Sequence, residues 1–374
     1  MRVKKAIIRF SIIGAGWRAR MYLRIARALP ESFEVVGVLV RDPAKRPALQ
    51  KEFGVRTFAG LDGLFKCGEA AFTVTSVSWQ SNPGIIAACA KKGLAVLSET
   101  PPAPDIKGLN ALARLARKGA RIQVAEQYWL VAHHAARLAA VKKGLIGKVS
   151  EAQVSAAHGY HGISLVRRFL GVGPECPKIT AMRFNSRMMK WPDLDGRVKQ
   201  GHAMATQDIT WLDFGDRFGV LDFTEPQYYS PIRGERVLIR GDRGEIVNDD
   251  VYWMKDSRTP LHAAMERCLG GLEDKVGGLC FQGIRMDNDW LYRSPFPEVG
   301  LSVHELAMAE CLLKMDDYVR TGKDFYSLAE AAQDHYLSIL CQQAIARRKP
   351  VIAQPQSWAG KLTPPPGKRA YPEQ

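Results

Sequence analysis

Two stretches of this 374-residue chain carry residue types and spacings that can do chemistry. The first is Gly14-Ala15-Gly16-Trp17-Arg18-Ala19, set between an apolar run at 6–13 and a helical pattern that continues to about residue 29. Alone, G-x-G-x-x-A is a weak signal, but between a strand and a helix it has the context of a dinucleotide fingerprint. Gly14 allows the tight turn, Gly16 lets backbone approach a pyrophosphate, and Ala19 keeps the helix close to the strand. Trp17 and Arg18 open the helix, whose free N–H groups face the phosphates. A glycine turn without a ligand is the competing reading.

The second stretch is Ala156-Ala-His158-Gly-Tyr160-His161, two imidazoles and a phenol within six residues. An imidazole exchanges a proton near neutrality, since its ordinary pKa is about 6.5. On a strand, His158 and Tyr160 point to one face and His161 to the other, unless the chain turns at Gly159. Leu165, Phe169 and Leu170 continue as a helical pattern, so His161 is expected at an exposed strand-to-helix junction. Packing and hydrogen-bonding roles compete with a catalytic one for His158 and Tyr160. The pair His133-His134 lies in an alanine-rich helical pattern at 128–143, and adjacent helix positions do not share a face. Both are read as structural. HExxH, H-x-x-x-H and G-x-S-x-G are absent, so neither a metal nor a serine nucleophile is expected.

The elements that must position these groups follow from periodicity. Strands at 6–13, 34–40, 71–78 and 94–97 alternate with helical patterns, which argues a doubly wound parallel sheet. In such sheets ligands gather at the carboxyl ends of strands, where Ser78, Trp79 and Glu99 lie. The second strand ends at Val40-Arg41-Asp42. A carboxylate there would hold a ribose 2′-hydroxyl and an arginine would accommodate a 2′-phosphate, so NAD and NADP both stay open. Arg41 leans toward tolerance of NADP, though a surface arginine explains it almost as well.

From about residue 148 the pattern becomes strand-like: 149–155, 178–185, 203–214, 220–223 and 236–240, with turns such as Gly241-Asp-Arg-Gly244. One open, mostly antiparallel sheet in an α+β domain is expected. Stretches 301–320 and 326–347 read as amphipathic helices that pack back toward the first domain. Residues 354–374 hold five prolines and no periodicity, as in a disordered or draped tail. The expected division is a Rossmann domain at 1–125, an α+β domain at 126–353 and the tail at 354–374.

Composition narrows the function classes. Residues 1–125 hold 21 Lys and Arg against 8 Asp and Glu, so +13 of the chain's formal +15 sits on the first third. A solvated basic surface or attraction of an anionic ligand accounts for it. Zinc-finger spacing, an RNP motif and a basic–aromatic stripe are all missing, which argues against nucleic acid. The sequence holds no apolar run long enough for a membrane span. Seven scattered cysteines without a CxxC pair favour a reduced, cytoplasmic protein.

In the order and spacing of its motifs the chain resembles the glucose–fructose oxidoreductase and inositol dehydrogenase (Gfo/Idh/MocA) superfamily over roughly residues 5–350. The matching features are GAGWRA at 14–19, the run Ala88-Ala-Cys-Ala-Lys-Lys-Gly-Leu-Ala-Val-Leu-Ser-Glu-Thr-Pro101, Gly144-Leu-Ile-Gly147, and the stretch from His161 to Gly171. The resemblance implies NAD(P)-dependent oxidoreduction of a carbohydrate hydroxyl and a homo-oligomer formed through the second sheet. It also exposes departures. The family's Glu-Lys-Pro turn reads Glu99-Thr100-Pro101 here, so its lysine is absent. Ala157 and Ser164 stand where the family carries aspartates, and Asn82 matches a family histidine. His161 alone survives of the usual acid–base residues. The loop bearing Trp191, Asp193 and Arg197 offers groups that grip sugar hydroxyls, though solvated loops look alike. Lys190, Lys199 and His202 are the nearest substitutes for the lysine. A glycosidase that oxidises its sugar transiently, or a non-catalytic NAD(P)-binding protein, are the other functions compatible with these departures.

Overall fold

The computed structural model describes residues 6–68, 70–191, 201–271 and 279–360. Its contacts divide the chain into two units. The first comprises Met1–Glu126, Met308–Gln333 and Gln356–Gln374, and the second Gln127–Ala307 and Asp334–Pro355.

In the first unit the described elements are β1 (Ile8–Ile13), α1 (Trp17–Ala28), β2 (Phe33–Leu39), α2 (Arg46–Phe53), β3 (Thr57–Phe58), α3 (Leu61–Phe65), β4 (Phe72–Thr75), α4 (Asn82–Lys91), β5 (Val96–Ser98), α5 (Ile106–Arg117) and β6 (Ile122–Val124). The strands are parallel in the order β3-β2-β1-β4-β5-β6, a doubly wound sheet. β4 (FTVT) is wholly buried and β1 (IRFSII) is buried except at Arg9, so both are strands covered on both faces, with Ser11 and Thr73 hydrogen-bonded to each other at 2.9 Å. Phe10 and Phe72 stack across them with ring centroids 5.6 Å apart. α5 buries Leu109, Leu112, Ala113 and Ala116, a stripe at helical spacing. Each such leucine is worth about 1.5–3 kcal/mol. Asp105 caps this helix, accepting from the Gly108 N–H at 2.7 Å.

Residues 308–333, expected in a continuous second domain at 126–353, pack with the first unit instead. The reason lies at β6. Val124 N–H donates to the Tyr326 carbonyl at 3.0 Å, and Gln123 Oε1 accepts from the N–H groups of Phe325 and Tyr326. The start of the expected tail is also anchored: Trp358 is fully buried and its Nε1 donates to Gln333 at 3.0 Å. Residues 361–374 of that tail lie outside the described residues.

The second unit holds α6 (Ala132–Lys142), β7 (Val149–Ser155), α7 (Gly159–Leu170), β8 (Lys178–Met189), β9 (His202–Asp213), β10 (Phe218–Thr224), β11 (Arg236–Gly241), β12 (Gly244–Val247), β13 (Asp250–Asp256), β14 (Thr259–Gly270), β15 (Cys280–Met286), β16 (Asp289–Arg293) and β17 (Val351–Ile352). α8 (Val303–Thr321) and α9 (Leu328–Arg347) each contribute to both units. Among the described residues the sheet has eleven strands in the order β16-β15-β14-β13-β12-β11-β7-β10-β9-β8-β17. Only the β7–β10 pair in it is parallel. One buried row crosses eight strands: Ile179, Leu212, Gly219, Ala152, Ile239, Ile246, Val251 and Ala263 face one another in register. The alternate positions face outward. The same face exposes Met182, Phe184, Trp211, Phe218, Val247 and Tyr252, each 37–53% accessible.

α7 lies against the buried face because Gly162 has no side chain. A Cβ there would stand 2.2 Å from Leu221 Cδ1 and 2.5 Å from the Ala157 carbonyl. Further along α7, buried Arg167 pairs with Asp334 and donates to the Gly173 carbonyl at 2.7 Å. These contacts set the depth and rotation of the helix that carries His161.

Candidate active site

The first unit forms its glycine turn where β1 meets α1. Gly14 has φ 120°, and a Cβ on it would sit 1.9 Å from the Ser76 carbonyl oxygen. Only glycine fits such an approach to the strand end of β4. A Cβ on Gly16 would meet nothing within 4 Å, so the space above this N-cap is open. The first turn of α1 has neither a side-chain cap nor an acidic residue, which keeps its N–H groups suited to an anion. Ala19 is fully buried, as the third fingerprint position requires. A pyrophosphate fits this arrangement.

Arg18 and Glu99, both expected to face a cofactor, bond to each other. Arg18 Nε and Nη2 donate to the two oxygens of Glu99 at 2.9 and 3.0 Å, and the Tyr22 hydroxyl donates to Glu99 at 2.6 Å. Burial would lower the Arg18 pKa, but the Glu99 carboxylate outweighs it and the net shift is upward. Burial, then Glu99, drive Tyr22 well above its ordinary value. Asn82 is buried and ties down the following turn: its Nδ2 donates to Ser98 Oγ at 2.9 Å and to the Pro102 carbonyl at 3.2 Å. Its Oδ1 is buried without a hydrogen-bond partner. Thr100 is half-buried in that turn, while Ser78 and Trp79 are exposed beyond β4. Arg41 is exposed, and Asp42 spends a carboxylate oxygen on the Ala44 N–H at 3.0 Å.

In the second unit, His158 caps α7 in an extended conformation and the helix begins at Gly159. His161 is therefore its third residue and is 6% exposed, not at an exposed junction as the sequence suggested. The helix starts two residues earlier than expected and turns the ring inward. His158, Tyr160 and His161 do converge: ring centroids lie 5.3 Å apart for His158–Tyr160, 5.1 Å for His158–His161 and 4.4 Å for Tyr160–His161. Tyr128 packs against His161 with ring centroids 4.4 Å apart and planes tilted by 41°, and His335 edges onto Tyr160 at 5.7 Å. Tyr228 bonds His158 Nδ1 at 2.7 Å. Tyr128, Tyr228 and His335 lie 28 or more residues from the motif in sequence, and no local pattern marks them.

His133 and His134 occupy the first turn of α6 with rings 4.4 Å apart. Contrary to the adjacency argument, one atom from each and one from Glu235 come within 4.8 Å of one another. Arg137 Nη1 stands 3.0 Å from His134 Nδ1, so a fixed cation already uses that nitrogen. Burial, with His133 and Arg137 beside it, holds His134 well below its ordinary pKa. Burial raises the Glu235 carboxyl, but His133 and Arg137 overcome this and lower it. Of the sugar-gripping loop, Lys190 and half-buried Trp191 follow β8 and His202 opens β9. Asp193, Arg197 and Lys199 lie outside the described residues.

Residues 8–127 match the model of the GFO_IDH_MocA family, described as "Oxidoreductase family, NAD-binding Rossmann fold". Residues 8–127 of the first unit are thus similar to the NAD-binding Rossmann domain of that family. The whole fold is shared with solved structures. A levoglucosan dehydrogenase in complex with NADH superposes with a TM-score of 0.67 at 14% identity, over 93% of this chain and 100% of that one. An oxidoreductase from Agrobacterium radiobacter in complex with NAD+, L-tartaric acid and magnesium gives 0.64 at 16% identity, over 92% and 98%. The WlbA dehydrogenase from Chromobacterium violaceum with NADH and UDP-GlcNAcA gives 0.61 at 14%, over 94% and 97%. No curated protein sequence matches the chain.

Proposed function

We propose that this chain is an NAD(P)-dependent oxidoreductase acting on a secondary hydroxyl of a sugar, glycoside or polyol. The observation that carries the reading is the glycine turn: Gly14 pressed against Ser76 and open space above Gly16, within a domain of an NAD-binding family. A bound dinucleotide supplies the hydride acceptor or donor. The chain's own part is to hold its pyrophosphate on the α1 N-terminus and to move the hydroxyl proton. His161 is the group for that proton, flanked by Tyr160 and His158. An acid–base residue of this kind contributes about 10²- to 10⁴-fold, so activity survives without the family lysine. Carbohydrate as substrate is supported by the levoglucosan and UDP-sugar enzymes that share the fold. Trp191, Asp193 and Arg197 are the proposed substrate grips.

Either nucleotide is accepted in this reading, with NADP accommodated by Arg41. Asp42, the nearby carboxylate, is engaged in capping Ala44. The exposed apolar face of the eleven-stranded sheet is assigned to a second copy of the chain. Trp211→Glu should then lower the mass measured by light scattering. All seven cysteines are free thiols, which suits a reducing, cytoplasmic setting.

Thr100 in place of lysine favours one second reading, a glycosidase that oxidises its sugar transiently and returns the hydride. One experiment separates these. The purified protein is denatured, any released nucleotide identified, and absorbance at 340 nm followed with sugars and aryl glycosides. Steady reduction supports the dehydrogenase. Aglycone release without accumulating NAD(P)H promotes the glycosidase. Nucleotide binding with no turnover points to a non-catalytic binder, and no binding at all overturns the proposal.

A further inference from the structure

We infer that Tyr228 is a positioning residue that fixes the tautomer of His158 and so makes His158 a hydrogen-bond donor rather than a base. The catalytic consequence rests on the proposed oxidoreductase reading; the tautomer does not.

Tyr228 lies in a short 3₁₀ turn (Glu225–Tyr229) directly after β10. Its hydroxyl oxygen accepts the backbone N–H of His158 at 3.1 Å and stands 2.7 Å from His158 Nδ1. A backbone N–H can only donate, so it claims the oxygen as acceptor. The phenol oxygen is a weak acceptor because its lone pair is shared with the ring, whereas a neutral imidazole nitrogen is a strong one. The O–H therefore donates to Nδ1. A neutral imidazole carries one hydrogen, and with Nδ1 accepting, that hydrogen is on Nε2.

The turn is held stiffly enough to enforce this. Buried Gln227 donates through Nε2 to the Ser155 carbonyl at 2.7 Å and to the Gly234 carbonyl at 2.9 Å. Ser155 ends β7, three residues before His158, so both partners hang from one cross-linked corner. Phe223 packs on the Tyr228 ring with centroids 4.7 Å apart. Divided labour follows. His158 presents Nε2–H to an oxygen of the substrate, and proton abstraction falls to His161.

The test uses the full chain labelled with 15N-histidine. Long-range 1H–15N correlation spectra are recorded near neutral pH, and the His158 signal is assigned by its loss in His158→Gln. Nε2–H is expected in the parent protein and a mixture of tautomers in Tyr228→Phe. An Nδ1–H signal in the parent, or an unchanged pattern in Tyr228→Phe, overturns the inference. Kinetics provide a second arm. Tyr228→Phe should lower kcat/KM on the order of tenfold, the cost of one lost hydrogen bond to a reacting group. The double variant His158→Ala/Tyr228→Phe should be no worse than His158→Ala. A further loss would mean that Tyr228 acts by another route and would also overturn it. An inactive parent protein would count against the proposed function alone, because the spectra need no substrate.

Discussion

Arg18 grips Glu99 with two parallel hydrogen bonds, 2.9 and 3.0 Å long, which tie the first turn of α1 to the end of β5. The side chains are only 14% and 10% exposed, so this pair is largely shielded from water. Two residues that the sequence placed beside a cofactor thus brace the turn that would hold it.

Removing one partner leaves a buried charge. Arg18→Ala should destabilise the fold by about 3–5 kcal/mol, since it strands Glu99. Arg18→Met with Glu99→Leu should recover part of that loss. Urea unfolding of the three proteins checks this, and equal midpoints for Arg18→Ala and the parent would refute it.

The two fingerprint glycines should fail differently. Gly14→Ala meets the Ser76 carbonyl at 1.9 Å and must distort the turn, lowering the melting temperature. Gly16→Val faces open space, so it should cost no more than about 1 kcal/mol, the loss of a favoured N-cap residue. Its nucleotide affinity should nevertheless fall. Calorimetric titration with NAD and NADP distinguishes the two, and unaltered affinity in Gly16→Val would contradict the fingerprint.

His161→Gln keeps bulk and polarity but exchanges no proton near neutrality. The expected outcome is a drop in kcat of about 10²- to 10⁴-fold, the usual share of a general acid or base. Nucleotide affinity should stay nearly unchanged, and a melting curve serves as the control for folding. Full turnover in this variant would remove His161 from the mechanism.

His134 makes the fold sensitive to acid. Burial, followed by the neighbouring His133 and Arg137, holds its folded pKa well below 6.5. Between the folded value and about 6.5 the unfolded chain binds the extra proton, so stability rises with pH across that interval. It should therefore fall as pH drops below about 6.5. His134→Gln should flatten that part of the profile. Melting temperatures of both proteins from pH 5 to 8 provide the check, and parallel profiles would exclude His134 as the source.

The parallel sheet and the dinucleotide turn were legible because their signals are local. β1 and β4 are covered on both faces and so are rich in Ile, Phe, Val and Thr rather than alternating with charged residues, and the glycines sit between strand and helix. β3 escaped because two residues cannot display a period, and β6, as short as β5, carries Gln123 at its centre where β5 has Leu97. In the second half, β7 through β11 showed alternation, since one face is buried and the other open. The later strands β13–β16 carry polar and aromatic residues on both faces and were not marked.

The site divides in the same way. Gly14, Gly16 and the His158–His161 cluster are neighbours in sequence, so chain chemistry alone assembled their candidacy. What that chemistry could not decide was burial. His161 turns inward because Gly162 lets α7 press onto Leu221, a contact between residues 59 positions apart. The convergence of His133, His134 and Glu235 depends likewise on a segment about a hundred residues downstream. The pairing of Arg18 with Glu99, and of His158 with Tyr228, needs side chains from separate strands, helices and turns. Hydrogen bonds reach only about 3 Å, so a partner exists only where the fold delivers it. Residue type and spacing along the chain nominate the candidate groups for nucleotide binding and proton transfer. Tertiary structure decided which of them are braced, buried or held in one tautomer.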